Sequence, residues 1–219
     1  MPRTKARPGR PKDAAKRHAI LEAAASCFLR DGFDGTSMEA IAREAGVSKI
    51  TLYSHFQDKE GLFREMVEDK CAEFAPSEEF AVLADADPRE ALIRIAGGVV
   101  QLITEPDVVA MHRLVVSGAA RNPTAARLLY ESGPQPMLSR VADLLRAWHE
   151  RGVLEVPDAQ RAAGYLFAML KGPSYDCLVL NLEPPPSKDD TARHIGDCVD
   201  VFLRAYAPAP APAPGTTGG

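Results

Sequence analysis

Between Lys49 and Ser54 the chain gathers basic, aromatic and short polar side chains that suit a nucleic-acid groove: Lys49, Ile50, Thr51, Tyr53 and Ser54. An ammonium group can donate to guanine acceptors and an isoleucine can meet a thymine methyl. Hydroxyls can hold phosphate oxygens. Nothing comparable points to bond-breaking chemistry. The chain contains no P-loop, GxGxxG, GxSxG or HExxH run, and no pair of acids stands out from ordinary helix surfaces. Cys27, Cys71, Cys177 and Cys198 form no CxxC pair, and the five histidines lack metal-ligand spacing. Reduced thiols, no metal, no cofactor and no enzymatic activity are therefore expected.

Presenting these groups takes two short helices. Thr36-Ser37-Met38-Glu39 reads as a capping box, with the Thr36 hydroxyl and the Glu39 carboxylate meeting orphan backbone donors. Ile41, Ala42 and Ala45 point inward from the helix that follows. Gly46-Val47-Ser48 is a turn, and Ser48 is placed to cap a second helix over 49–56. Small Ala42 and Gly46 let the two helices cross closely. Ile41, Val47 and Leu52 lock the pair onto a first helix marked by Ile20, Ala24, Cys27 and Phe28, which ends at Asp31-Gly32. Lys49, Ile50, Thr51, Tyr53 and Ser54 remain on an outer face that suits a major groove.

The run from Gly35 to Phe63, with Leu52-Tyr53-Ser54-His55-Phe56-Gln57-Asp58-Lys59 at its centre, resembles the DNA-binding signature of TetR-family regulators. The likeness spans about residues 14–65. It implies an all-α homodimer with a three-helix DNA reader on a larger helical domain. It also implies roles for single residues. Thr36 and Ser37 would contact phosphate, and Lys49 and Ile50 would meet bases. Ser48 joins the DNA-binding set; Thr51, Tyr53 and His55 would mostly hold phosphates, with Tyr53 within reach of a base. Lys59 would clamp the backbone from the fourth helix. Where some relatives place a base-reading cation this chain has Glu39, read here as a cap. Pro8-Gly9-Arg10-Pro11-Lys12 resembles an AT-hook core, whose arginine, Arg10, would enter a minor groove. The alternative is a solvated basic tail that only raises nonspecific affinity.

The bulk properties agree with two partners of different charge. The chain has 219 residues, 46% hydrophobic and 26% charged, and a formal net charge of −4. Residues 1–60 carry 11 basic and 8 acidic side chains, while the remainder carries 15 and 22. No apolar run reaches the roughly 18 residues that span a bilayer, and the N-terminus lacks the apolar stretch of a secretory signal. A cytoplasmic location without a membrane partner is expected. The layout read from breakers and caps is a disordered basic arm over 1–12, a helix-turn-helix domain over 13–58, a helical effector and dimerisation domain over 59–206, and a disordered Pro/Ala/Gly tail over 207–219. About nine to ten helices are expected, the later ones near 77–84, 88–104, 107–121, 123–132, 135–151, 158–182 and 188–206. Pro173 should kink the penultimate helix.

The stretch from Glu105-Pro106-Asp107 through residues 111–116 to the ending Phe202-Leu203-Arg204-Ala205-Tyr206 resembles the AefR-like branch of the family's C-terminal domains. That resemblance implies a ligand cavity, for which Met111, Leu114, Val115, Leu144, Trp148, Phe167 and Tyr175 are candidates, with His112 and His149 as polar fixtures. Leu166, Met169, Leu170, Ile195, Val199 and Phe202 would form the dimer interface, or else fill the monomer's own core. The implied function is a repressor that binds palindromic double-stranded DNA as a homodimer and is released by a small apolar or aromatic effector. An activator on the same fold, and an effector-independent nucleoid-type protein, stay open as alternatives.

Overall fold

The computed structural model describes residues 10–74, 80 and 82–208. Every named element among them is a helix: α1 (Arg10–Gly35), α2 (Met38–Glu44), α3 (Lys49–His55), α4 (Lys59–Phe74), α5 (Pro88–Thr104), α6 (Pro106–Gly118), α7 (Pro123–Ser132), α8 (Pro134–Glu150), α9 (Ala159–Val179) and α10 (Lys188–Ala205). Helices α5 to α8 each begin on proline, whose fixed φ suits a first turn and whose missing N–H would have had no intrahelical partner there. Asn122, Asp158 and Ser187 cap α7, α9 and α10 by accepting from the backbone N–H of Thr124, Arg161 and Asp190. These are local signals, and the expected boundaries agree with them closely.

Two expectations near the N-terminus change. Helix α1 starts at Arg10 and not after Lys12, because Pro11 falls in the first turn, where it costs no hydrogen bond. Residues 1–9 of the expected arm lie outside the described residues. So do most of the helix expected near 77–84 and the tail from 209 onward. The cap of α2 is Ser37, whose hydroxyl accepts from Ala40 N–H at 3.2 Å, and not Thr36. Thr36 is 2% exposed, and its hydroxyl turns inward to the carbonyls of Gly32 (2.7 Å) and Cys27 (3.1 Å).

Helix α1 is broken at Gly32, with φ 73° and ψ 171°. That combination is nearly confined to glycine, since a Cβ would crowd the backbone. A Cβ built at Gly32 meets nothing within 4 Å, so any substitution penalty is one of backbone strain alone. Gly32→Ala should therefore lower the unfolding free energy by about 1–3 kcal/mol in urea denaturation. No change would show that the end of α1 relaxes without cost.

The chain divides into two compact units. The first comprises the described residues through Glu73 together with Glu105–Gln135, so α6 and α7 belong with α1 to α4. Ile20, Ala24, Cys27 and Phe28 of α1, Ile41 of α2, Leu52 of α3, and Leu62 and Phe63 of α4 make its core. Met111, Val115, Ala125 and Leu128 complete it from α6 and α7. The three N-terminal helices bury too little surface by themselves, and this extension supplies the missing apolar area.

The second unit comprises Phe74–Thr104 and the described residues from Pro136. Helix α5 packs against both α9 and α10. Leu92, Ile95, Ala96 and Val99 of α5 meet Leu145 and Trp148 of α8 in its core. Leu166, Leu170, Ile195, Val199 and Phe202, named above as interface candidates, are all buried in this unit's own core, with Met169 packed partly against it. They fill the monomer because α5 covers the apolar stripes of both helices. The large apolar side chains left exposed among this unit's described residues are Val82, Tyr165 on α9, Leu180 and Leu182 just beyond it, and Val201 on α10. The expected kink in α9 is present as a break at Gly172, immediately before Pro173.

Candidate nucleic-acid interface

The turn between α2 and α3 is built by backbone chemistry. Gly46, with φ 65°, follows the end of α2 in the left-handed region. Val47 N–H donates to the Ala42 carbonyl at 3.0 Å and Gly46 N–H to the Arg43 carbonyl at 3.3 Å. This doubly bonded ending satisfies the last carbonyls of α2 and reverses the chain within a few residues. Ser48 then caps α3, accepting from Thr51 N–H at 3.1 Å, and its hydroxyl shares a hydrogen bond of 2.9 Å with that of Thr51.

Helix α3 is thereby held with one side inward and one outward. Leu52 is fully buried, while Ile50 is 84% exposed and Tyr53 48% exposed. A large apolar side chain left almost bare at the start of a seven-residue helix gains nothing for folding, so it marks a contact surface. Lys49 lies beside it, and its Nζ donates to Glu39 Oε1 on α2 at 2.9 Å. That hydrogen bond, helped by Glu39's own backbone N–H, holds the Glu39 carboxyl below the usual carboxylate range. The Ser54 hydroxyl is turned back to the Thr51 carbonyl at 2.7 Å.

Other expected contact residues serve the fold as well. Lys59 Nζ donates to the carbonyls of Phe33 (2.6 Å) and Thr36 (3.0 Å) and lies 4.6 Å from the centre of the Phe33 ring. Two of its three N–H groups thus tie the end of α1 and the approach to α2. Lys59→Ala should lower the stability of the DNA-free protein by about 1–3 kcal/mol, because two carbonyls lose a charged donor. Urea denaturation without DNA measures it, and unchanged stability would mean that water replaces the ammonium. His55 is only 14% exposed at its side chain and stands 3.2 Å from an Asp13 carboxylate oxygen.

Behind this face, Glu44 anchors α2 to α1. It accepts from the Cys27 thiol at 3.1 Å and from Arg30 at 3.0 Å. Hydrogen bonds from the Ser26 side chain, from Cys27 and from Arg30 lower the Glu44 carboxyl to about 2 from its ordinary 4.5. Burial, foremost, pushes the Cys27 thiol up. A carboxyl depressed in the folded state stabilises above its unfolded value and loses that contribution as pH falls through its folded value. Acid titration should accordingly show Glu44's contribution intact above pH 4.5 and gone by about pH 2. Glu44→Gln should flatten the stability profile in that window, and a profile as steep as the unmodified chain's would assign the acid sensitivity elsewhere.

The candidate ligand residues fall in both units. In the first, a cleft of about 200 Å³ beside the Gly32 break is lined by Phe33, Phe63, Met111, Leu114 and Val115, with Arg121 also bordering it. His112 is half-buried on α6. In the second, a cleft of about 100 Å³ lies at the α9 break, bordered by Leu170, Lys171, Tyr175, Thr191 and His194. His194 Nε2 lies 3.1 Å from the Leu170 carbonyl, Lys171 sits 5.5 Å from the Tyr175 ring centre, and burial pushes the Tyr175 hydroxyl up. Leu144 and Trp148 are core residues, and the Trp148 indole donates to the Ala84 carbonyl at 3.1 Å. Phe167 packs partly against that core. His149 Nδ1 accepts from Val156 N–H at 3.2 Å, a local tie. Lys171 and His194 were not foreseen; His194 comes from α10, and helical spacing within α9 does not show which residue of another helix reaches its cleft.

Among the described residues no group of three or more His, Cys, Asp or Glu side chains could hold a metal ion, and no helix is long and apolar enough to cross a membrane. Residues 20–66 match the family model of bacterial regulatory proteins of the tetR family, and residues 90–208 match that of the C-terminal domain of AefR-like transcriptional repressors. The HTH-type transcriptional regulator Rv2250c of Mycobacterium tuberculosis is 31% identical over 146 residues, 66% of this chain and 72% of the relative. A TetR-family transcriptional regulator from Mesorhizobium loti superposes with a TM-score of 0.74 at 32% identity, over 90% of this chain and 99% of that one. The flavonoid-responsive regulator FrrA superposes with a TM-score of 0.68 at 31% identity, over 90% of this chain and 100% of FrrA.

Proposed function

Because the chain belongs to the tetR family of bacterial transcriptional regulators, we propose that it is a repressor that binds a palindromic operator as a homodimer and leaves it on binding a small effector. The observation that carries this reading is the outer side of α3, where Lys49, Ile50 and Tyr53 are exposed while Leu52 is buried in the core. Lys49 and Ile50 read base edges in the major groove. Ser37, Ser48, Thr51 and Tyr53 hold phosphates, and His55 and Lys59 hold the reader's shape while facing the backbone.

The dimer forms through the exposed apolar residues Tyr165, Leu180, Leu182 and Val201, and its two readers meet half-sites ~34–36 Å apart or a multiple of that. The effector is small and apolar or aromatic, and sits in the cleft at the α9 break, against Tyr175 and Leu170. The flavonoid response of FrrA supports an aromatic effector. To release DNA it must prefer the nonbinding state by several kcal/mol. The protein works in the cytoplasm, where its DNA is.

The test is a titration of the purified full-length protein against a labelled fragment from upstream of its own gene, followed by fluorescence anisotropy with scrambled competitor DNA. Binding about 10³-fold or more tighter than to the scrambled DNA is expected. Equal, weak binding to both, repeated in a selection from random sequences, would return the protein to the nucleoid-type reading.

A further inference from the structure

The pairing of Lys49 with Glu39 puts a cation and an anion side by side on the outer face of α2 and α3, ten residues apart in the chain. Both side chains are about half exposed or more, 62% for Lys49 and 49% for Glu39. An isolated carboxylate on a surface meant for DNA would be repelled by phosphate, and burial does not hold this one there. The pair is better explained by what it leaves unused. Lys49 keeps two N–H donors after bonding Glu39, and the Glu39 carboxylate, which also accepts from its own backbone N–H, keeps lone pairs free as an acceptor.

We propose that Glu39 is a specificity-determining residue, and that with Lys49 it forms a single reading unit for one G·C base pair in the operator half-site. This rests on the DNA-reading role proposed above. The major-groove edge of a G·C pair presents two acceptors on guanine, N7 and O6, followed by one donor on cytosine, N4. The Lys49–Glu39 pair presents two donors followed by one acceptor, which is the complement of that order. An A·T pair presents an acceptor, a donor, an acceptor and a methyl group, and would leave a Lys49 donor facing a donor. Because the two side chains are joined at 2.9 Å, their free groups are spaced on the scale of one base-pair edge. Ile50, next in the chain and almost bare, takes an adjoining thymine methyl. The half-site should therefore contain a G·C pair next to a thymine. Glu39 also restrains Lys49 from a nonspecific phosphate contact, so it sharpens specificity at the expense of affinity.

The experiment is a random-sequence selection on the full-length protein and two variants, Glu39→Gln and the charge exchange E39K/K49E. The unmodified protein should select one G·C pair per half-site. Glu39→Gln should reduce that preference about tenfold at that position and leave the others alone. The exchange keeps the pair but reverses its donors and acceptors, so it should turn the preference into C·G at the same position. If both variants return the preferences of the unmodified protein at every position, the proposal is overturned and the DNA-reading role stands. An unmodified protein that selects no sequence overturns both.

Discussion

Phe28→Ala should lower the unfolding free energy by about 3–5 kcal/mol, which is a large part of the ~5–15 kcal/mol that holds a domain folded. Phe28 is fully buried in the first unit. Its ring stacks on Phe33 with centroids 5.7 Å apart and meets Phe63 edge to face at 5.1 Å, while Phe33 and Phe63 meet edge to face at 5.3 Å. The three rings join the two sides of the Gly32 break to α4, so truncating the central one leaves a cavity that helix backbones on several sides prevent from closing. Met111, Val115, Ala125 and Leu128 share this core, and α6 and α7 should lose amide-exchange protection together with α1 and α4. Urea denaturation measures the loss. A loss below ~1 kcal/mol, or protection that survives in α6 and α7, would show that these helices are not one cooperative unit.

Removing residues 2–9 should weaken binding to operator and scrambled DNA alike and make the salt dependence of binding markedly shallower. The reason is that several cations near α3 are already engaged. Lys49 is paired with Glu39, Arg17 with Glu65 and Asp69, and Lys59 with two carbonyls. His55 faces Asp13. Arg3, Lys5 and Arg7 lie in the segment to be removed. In a dimer that is about six charges, and each phosphate neutralised contributes about 0.9 to the slope of log affinity against log salt, so the slope should fall by up to about 5. Anisotropy titrations between 50 and 200 mM salt read this directly. An unchanged slope would mean that the arm does not touch DNA, and a loss confined to A·T-rich flanks would place its arginines in the minor groove.

Sequence and tertiary structure divide the explanation along a physical line. Helix ends were legible where the groups that make them are neighbours in the chain: the glycines at 32 and 46, and Ser48 at the start of α3. The outer face of α3 was legible for the same reason, since helical spacing sends Leu52 inward and Lys49, Ile50 and Tyr53 outward. The errors begin where a side chain chooses among partners distant in sequence. The Thr36 hydroxyl could have capped α2, but the Cys27 and Gly32 carbonyls took it and left the cap to Ser37. Glu39, read as a cap, gains Lys49 as a partner, and Lys59, read as a phosphate clamp, is also tied to the carbonyls of Phe33 and Thr36.

The same holds for the large helices. Periodicity marks Leu166, Leu170, Ile195, Val199 and Phe202 as an apolar face but not what covers it, and the tertiary structure answers with α5. Met111 and Val115 likewise belong to the core beneath the DNA reader, while Leu144 and Trp148 belong to that of the second unit. A sequence determines which side of a helix avoids water, because that depends on local spacing. Which helix covers that side depends on how the whole chain packs, and that only the tertiary structure decides.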